Sequence, residues 1–152
     1  MFRRVLVAVD GSAQSKRAVA YGAKIAAQNE AEVVLLHVMR HLGSDRVPPD
    51  LKDLEHLEHV RLTEADMLRS VAEAVVNEAQ DLAEQQGANK VQRVIEDGDP
   101  ATQILEYCKA HEVDLIVIGR RGLGGLAGLL LGSVSQKVSH SAPCACLLPP
   151  AQ

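Results

Sequence analysis

Aromatic side chains are nearly missing from this chain of 152 residues: it has no tryptophan, and Phe2, Tyr21 and Tyr107 are its only aromatics. That excludes a surface on which the bases of single-stranded nucleic acid stack, and it leaves the core to Val, Leu, Ile and Ala. Cysteine is scarce too. Cys108, Cys144 and Cys146 are odd in number, and the last two, on an expected strand, would hold their Cα atoms about 6.6 Å apart, at the edge of disulfide geometry. Free, buried thiols are the expected state. Long apolar runs are absent as well: the glycine-dotted stretch Leu123–Leu131 is too short to span a bilayer. The opening Met1–Val9 has the look of a signal peptide, but Asp10 cuts it short and no cleavage-type region follows. It reads as a first strand, and the protein is expected in the cytoplasm. Positive charge is not in excess, and the net charge of −4 argues against nucleic acid or an anionic membrane as partner.

What is present is a regular alternation. A content of 47% hydrophobic and 24% charged residues is that of a globular protein, and the length fits one domain over 1–152. Short runs at Val5–Val9, Glu32–Met39, Val91–Glu96, Val113–Ile118 and Cys144–Leu148, the first four rich in β-branched residues, are separated by segments of helical period. The first helix follows Asp10-Gly11-Ser12 and carries Ala18, Gly22, Ile25, Ala26 and Asn29 on one stripe. A second runs from about Leu54 to Gln86, with Leu68, Val71, Ala72, Val75, Ala79 and Leu82 on one face. Helices are also expected over Ala101–Ala110, with Ile104, Leu105 and Cys108 inward, and over Ser133–Ser141; Arg40–Asp53, with Pro48 and Pro49, reads as an exposed loop. The pattern predicts an α/β fold, an open twisted five-stranded parallel sheet with helices on both faces and right-handed crossovers. In such sheets ligands bind beyond the carboxyl ends of the strands, where the strand order reverses.

The candidate chemistry gathers at those ends. Asp114-Leu-Ile-Val-Ile118 runs into Gly119-Arg120-Arg121-Gly122, then nine residues, then Gly132-Ser133-Val134-Ser135. A buried strand opening into a glycine-rich loop and a helix is a geometry in which backbone N–H groups hold a phosphate. It is not a Walker loop, because Ser133 is preceded by Leu131-Gly132 and not by Lys. Nor is it a dinucleotide fingerprint, because the first turn is Asp10-Gly11-Ser12-Ala13 and the second strand ends His37-Val38-Met39-Arg40 with no carboxylate.

The full spacing, Gly-x2-Gly-x9-Gly-Ser, resembles the ATP-binding branch of the universal stress protein family. Further landmarks stand in the family's order: Arg4–Asp10 with Gly11-Ser12, Val34–Val38, Gly98-x-Pro100 and Asp114–Gly122. The resemblance covers the whole chain and implies a Rossmann-like fold and ATP, with Mg²⁺, as ligand. On this likeness the Gly119–Gly122 turn and Gly132-Ser133-Val134-Ser135 wrap the triphosphate, with the Ser133 and Ser135 hydroxyls and backbone N–H groups as donors. Asp10, at the end of Ala8-Val9, accepts from the ribose hydroxyls, the backbone of Val38 reads the adenine edge, and Gly98 and Ile118 border the pocket. The likeness also implies a homodimer through Cys144–Leu148; an apolar edge strand suits a symmetric partner.

Alternatives stay open at this point. Gly119 and Gly122 serve equally well to turn a tight loop, Asp10 can be a helix cap, and Arg120 and Arg121 can be solvated. Leu123–Leu131 reads as a lid or as a short packed helix. The histidines show no metal-ligand spacing: His56 and His59 lie one helical turn apart with no third ligand placed to join them. No metal site and no nucleophile–base–acid set emerges. The expected function is therefore a regulatory or signalling ATP binder of the stress response, with at most slow hydrolysis, read by an unidentified downstream protein. The alternative is a dimeric interaction module with a vestigial pocket. An adenylylating enzyme would need a His- or Ser-Gly-Gly-type signature after the first strand, which Asp10–Ser15 does not supply.

Overall fold

The computed structural model describes residues 1–40, 54–122 and 131–151, of which 54–63 by backbone alone. The elements in chain order are β1 (Arg4–Ala8), α1 (Ala13–Asn29), β2 (Glu32–Met39), α2 (Leu54–Gln85), β3 (Val91–Asp97), α3 (Pro100–Ala110), β4 (Leu115–Val117), α4 (Ser133–Ser141) and β5 (Ala145–Leu147). The strands form a five-stranded sheet in the order β3-β2-β1-β4-β5, parallel at every pairing. The α/β fold is the one expected.

Continuous apolar runs in β1, β2 and β4 require cover on both faces of the sheet. Alternation along β1 sends Val5 and Val7 into one core layer with Val33, Leu35 and Val117, beneath α1 and α2. Leu6 points the other way and joins Val34, Leu36 and Ile116 beneath α3 and α4. Each such fully buried side chain contributes about 1.5–3 kcal/mol of transfer free energy.

Small residues let α1 come close. Its buried face is Ser15, Ala18, Val19, Gly22, Ala23 and Ala26; Ile25 of the expected stripe is only partly buried, and Val19 and Ala23 take its place. A Cβ at Gly22 would lie 2.5 Å from Val7 Cγ2, so this glycine marks the point where helix and central strand touch. The face expected for α2 needs correction. Ala72, Val76, Ala79 and Ala83 are buried, with Val75 and Leu82 packed at their flanks, whereas Val71 is 58% exposed. The small-residue stripe wins because α2 also packs on α1, where alanines permit the closer approach. The expected third helix and the fourth and fifth strands are found with shifted ends, and Cys144 and Leu148 fall outside β5. The expectations for 41–53 and 123–130, and those for the His56 and His59 side chains, lie outside the described residues.

Cys108 is buried and Cys144 and Cys146 partly so, all unpaired; burial pushes the Cys108 thiol up to about 12 and that of Cys146 to about 11. All three pack into the core layer beneath α3 and α4 as hydrophobes.

At the opposite end from the glycine loop, Asp114 ties the chain's start to β4. Its Oδ2 accepts from the backbone N–H groups of Arg3 at 2.7 Å and Arg4 at 2.8 Å, and these two bonds hold its carboxyl below the ordinary carboxylate range. A carboxylate whose pKa is depressed in the folded state contributes stability that is complete above the unfolded value, about 3.9, and disappears as pH falls through the lower folded value. Replacing Asp114 by Asn should therefore flatten the acid limb of the stability–pH curve below about pH 5 and lower the denaturant midpoint most at neutral pH, with variant and wild type converging as the pH falls. Gly22→Ala should destabilise the fold by about 1–3 kcal/mol through overpacking against Val7, measured by urea unfolding with an unchanged m-value.

Candidate functional site

Strand order reverses between β1 and β4, the two strands that leave the sheet centre in opposite connections. Their carboxyl ends carry Asp10 and the Gly119–Gly122 loop, so the crevice expected of such sheets opens between them. The turn after β1 is built by reciprocal bonds. Asp10 Oδ1 accepts from the Ser12 N–H at 2.9 Å, Ser12 Oγ caps α1 by accepting from the Ser15 N–H at 3.1 Å, and Ser15 Oγ accepts from the Asp10 N–H at 3.1 Å. Ser12, not Asp10, is thus the helix cap. The other oxygen of Asp10 faces the loop after β4, because a Cβ at Gly122 would lie 2.2 Å from Oδ2. Glycine at 122 is what leaves room for that carboxylate.

Three consecutive residues of the loop are each held from a different place. The Gly119 carbonyl accepts from Ser135 Oγ at 2.5 Å, the Arg120 carbonyl accepts from the Gly132 N–H at 2.6 Å, and the Arg121 N–H donates to Gln14 Oε1 at 2.8 Å. Ser135 is buried, and its hydroxyl proton goes to Gly119, so what it offers a ligand is its backbone N–H and the position of the loop. Ser133 is exposed at the first turn of α4. Gly132 caps that helix without a side-chain bond, which leaves the leading N–H groups of α4 without a side-chain acceptor. At Gly132 itself the backbone is ordinary, φ −73° and ψ 168°, and a Cβ would meet nothing nearer than 3.6 Å. Neither conformation nor packing demands glycine there. Among the described residues, Arg120 Nε is buried with no hydrogen-bond partner, a donor that an anion would satisfy.

Val38 lies beyond the end of β1, whose last ladder partner in β2 is Leu36. The Leu36 carbonyl accepts from the Val9 N–H while that of Met39 accepts from Gly98. Alternation along a strand therefore turns the backbone of Val38 toward the β1 side, into the crevice. His37 Nδ1 lies 2.8 Å from the Val9 carbonyl and fixes the spacing of these two strand ends. Ala8, Val9 and Ile118 pack in the two core layers. A cleft of about 930 Å³ opens between the start of α3 and α4. Gly98, Asp99 and Pro100 line one wall, Ser133, Val134, Lys137 and His140 the other, with Arg40 also at the surface. Asp99 caps α3; the Thr102 hydroxyl and N–H hold its carboxyl below the ordinary range, and Lys137 and Arg40 act in the same direction. The cleft thus contains Gly98, Ser133 and Val134 of the expected set, whereas Asp10, Gly119, Arg121 and Gly122 meet at the switch point beside it, and Gly132 joins the two groups through its bond to Arg120.

Comparison with known proteins agrees with this fold. The family described as the universal stress protein family matches residues 1–149. The chain belongs to the universal stress protein family. Among its relatives, universal stress protein YxiE of Bacillus subtilis is 32% identical over 151 residues, covering 97% of this chain and 99% of the relative. Family members of known structure superpose over their full length. Universal stress protein UspA from Lactobacillus plantarum gives a TM-score of 0.84 at 25% identity, covering 98% of each chain. A universal stress protein crystallised in complex with cAMP gives 0.74 at 26% identity, covering 99% of each.

Gln14, Ser15 and His37 were not among the residues expected to shape the site. The Gln14 bond joins positions 107 apart, which no local pattern announces. Ser135→Ala should cost about 1–2 kcal/mol by leaving the Gly119 carbonyl without its partner, read from chemical denaturation, with the far-UV spectrum unchanged.

Proposed function

We propose that this chain is an ATP-binding regulatory protein of the stress response, with at most slow hydrolysis. The observation that carries the reading is the buried, unpartnered Arg120 Nε in a pinned loop beside the first turn of α4, whose N–H groups have no side-chain cap. Positive partial charge at a helix N-terminus and a guanidinium donor together suit phosphate oxygens. The residues fit the remaining parts of the nucleotide. Asp10 is placed to accept from ribose hydroxyls, the backbone of Val38 presents amide groups to an adenine edge, and Gly98 borders the base. Gly119, Gly122, Gly132, Ser133, Val134 and the Ser135 N–H surround the phosphates, with Arg121 at their border. The relative solved with cAMP supports an adenine nucleotide as the ligand class. Mg²⁺ belongs to the same reading as the counter-ion of the ATP phosphates, part of whose charge it would neutralise.

A homodimer through β5 belongs to the same reading. β5 is the sheet edge beside β4, so one row of its backbone groups faces outward, ready to pair with a second copy.

The test is to denature the purified protein without added nucleotide, chromatograph what is released, and titrate ATP into the stripped chain. Adenine nucleotide at about one per chain, or rebinding at micromolar concentration, a free energy of about −8 kcal/mol, is the expected result. Gly132→Val should abolish that binding and still unfold cooperatively, because the added methyls enter space next to Arg120 and Arg121 that the fold leaves open. No release and no rebinding would favour an interaction module with a vestigial pocket.

A further inference from the structure

We propose that Gln14, on the first turn of α1, is a positioning residue that sets the phosphate-binding loop after β4; the inference rests on the nucleotide reading above. The loop between Gly119 and Gly122 has a glycine at each end and is free to swivel unless it is held. Ser135 holds its beginning through the Gly119 carbonyl. Gln14 holds its other half: the Arg121 N–H donates to Gln14 Oε1 at 2.8 Å, partly buried. The two segments are also in direct contact, since a Cβ at Gly119 would lie 3.0 Å from Gln14 Cβ and 3.2 Å from its backbone. Between the two pins sits Arg120, whose carbonyl is tied to Gly132 and whose Nε is the buried donor without a partner.

Gln14 therefore acts on a ligand only through Arg121 and the backbone of the loop. Its helix begins at the same turn that carries Asp10, capped two residues earlier by Ser12. The ribose-facing carboxylate and the phosphate-facing loop are thus referred to one rigid element, a preorganisation that lowers the ordering cost of binding. Because the Gln14 bond touches only the phosphate side, its loss separates ligands by whether they carry phosphate.

Gln14→Met keeps the length of the side chain and removes the amide oxygen; Gln14→Ala removes the reach as well. Stripped full-length wild type and both variants are titrated with ATP and with adenosine, and exchange of the Arg121 amide is followed by NMR. The expected result is faster Arg121 exchange, an ATP affinity lower by about tenfold, adenosine affinity within about twofold of wild type, and an unchanged cooperative melt. ATP affinity retained in both variants despite faster Arg121 exchange overturns the proposal. An equal loss for ATP and adenosine overturns it too, assigning Gln14 to the general support of the crevice. Wild type that binds no adenine nucleotide refutes the nucleotide reading itself, whatever the variants do.

Discussion

Burial of β1 and β4 on both faces is the constraint from which the rest of the molecule follows. Val5, Leu6, Val7, Ile116 and Val117 are all shut off from solvent, and strands of this kind survive only between two helical layers. With every pairing parallel, each return has to cross over a face of the sheet. The chain first winds outward from β1 through β2 to β3, then crosses back to lay β4 on the other side of β1. That reversal puts α1 and the loop after β4 at adjacent strand ends. The crevice is thus a by-product of covering both faces, and the chain's polar and glycine-rich residues sit where it opens.

The family provides the coarse statement, and the local geometry divides the polar groups of the site into two kinds. In the proposed function, Asp10, Val38 and the leading amides of α4 are the groups that meet the ligand. Ser12, Ser15, Gln14, His37 and Ser135 bond to backbone groups of the turns and strand ends and act by fixing them. Ser135 belongs to the second kind through its hydroxyl although it stands inside the glycine-serine motif.

Much of this was legible in the residues. Short apolar runs bounded by turn residues, β-branched in all but the last, located the five strands among the described residues. The glycine spacing located the loop. Two things were not legible, for different reasons. The face of α2 was misjudged at Val71 because an alanine-rich helix carries two overlapping stripes of apolar residues, and only the partner, α1, decides which one is buried. The pins on the loop were missed because Gln14 and Ser135 are ordinary polar residues on helices. Their roles come from meeting Arg121 and Gly119, which the fold brings near and the local pattern does not.

The Gln14 pin joins positions 107 apart in a chain of 152 residues, and this bears on when the crevice comes into being. A contact across so many residues forms only after the intervening chain has been ordered, because closing a long loop costs entropy before any bond repays it. Possession of the glycine motif is therefore separate from competence: a C-terminal half bearing every motif residue from Gly119 to Ser135 lacks the helix that aligns them. During synthesis, α1 emerges early and waits for β4 and its loop, which come late. In the proposed function, ligand capture is accordingly a report that β4 has joined β1 at the sheet centre.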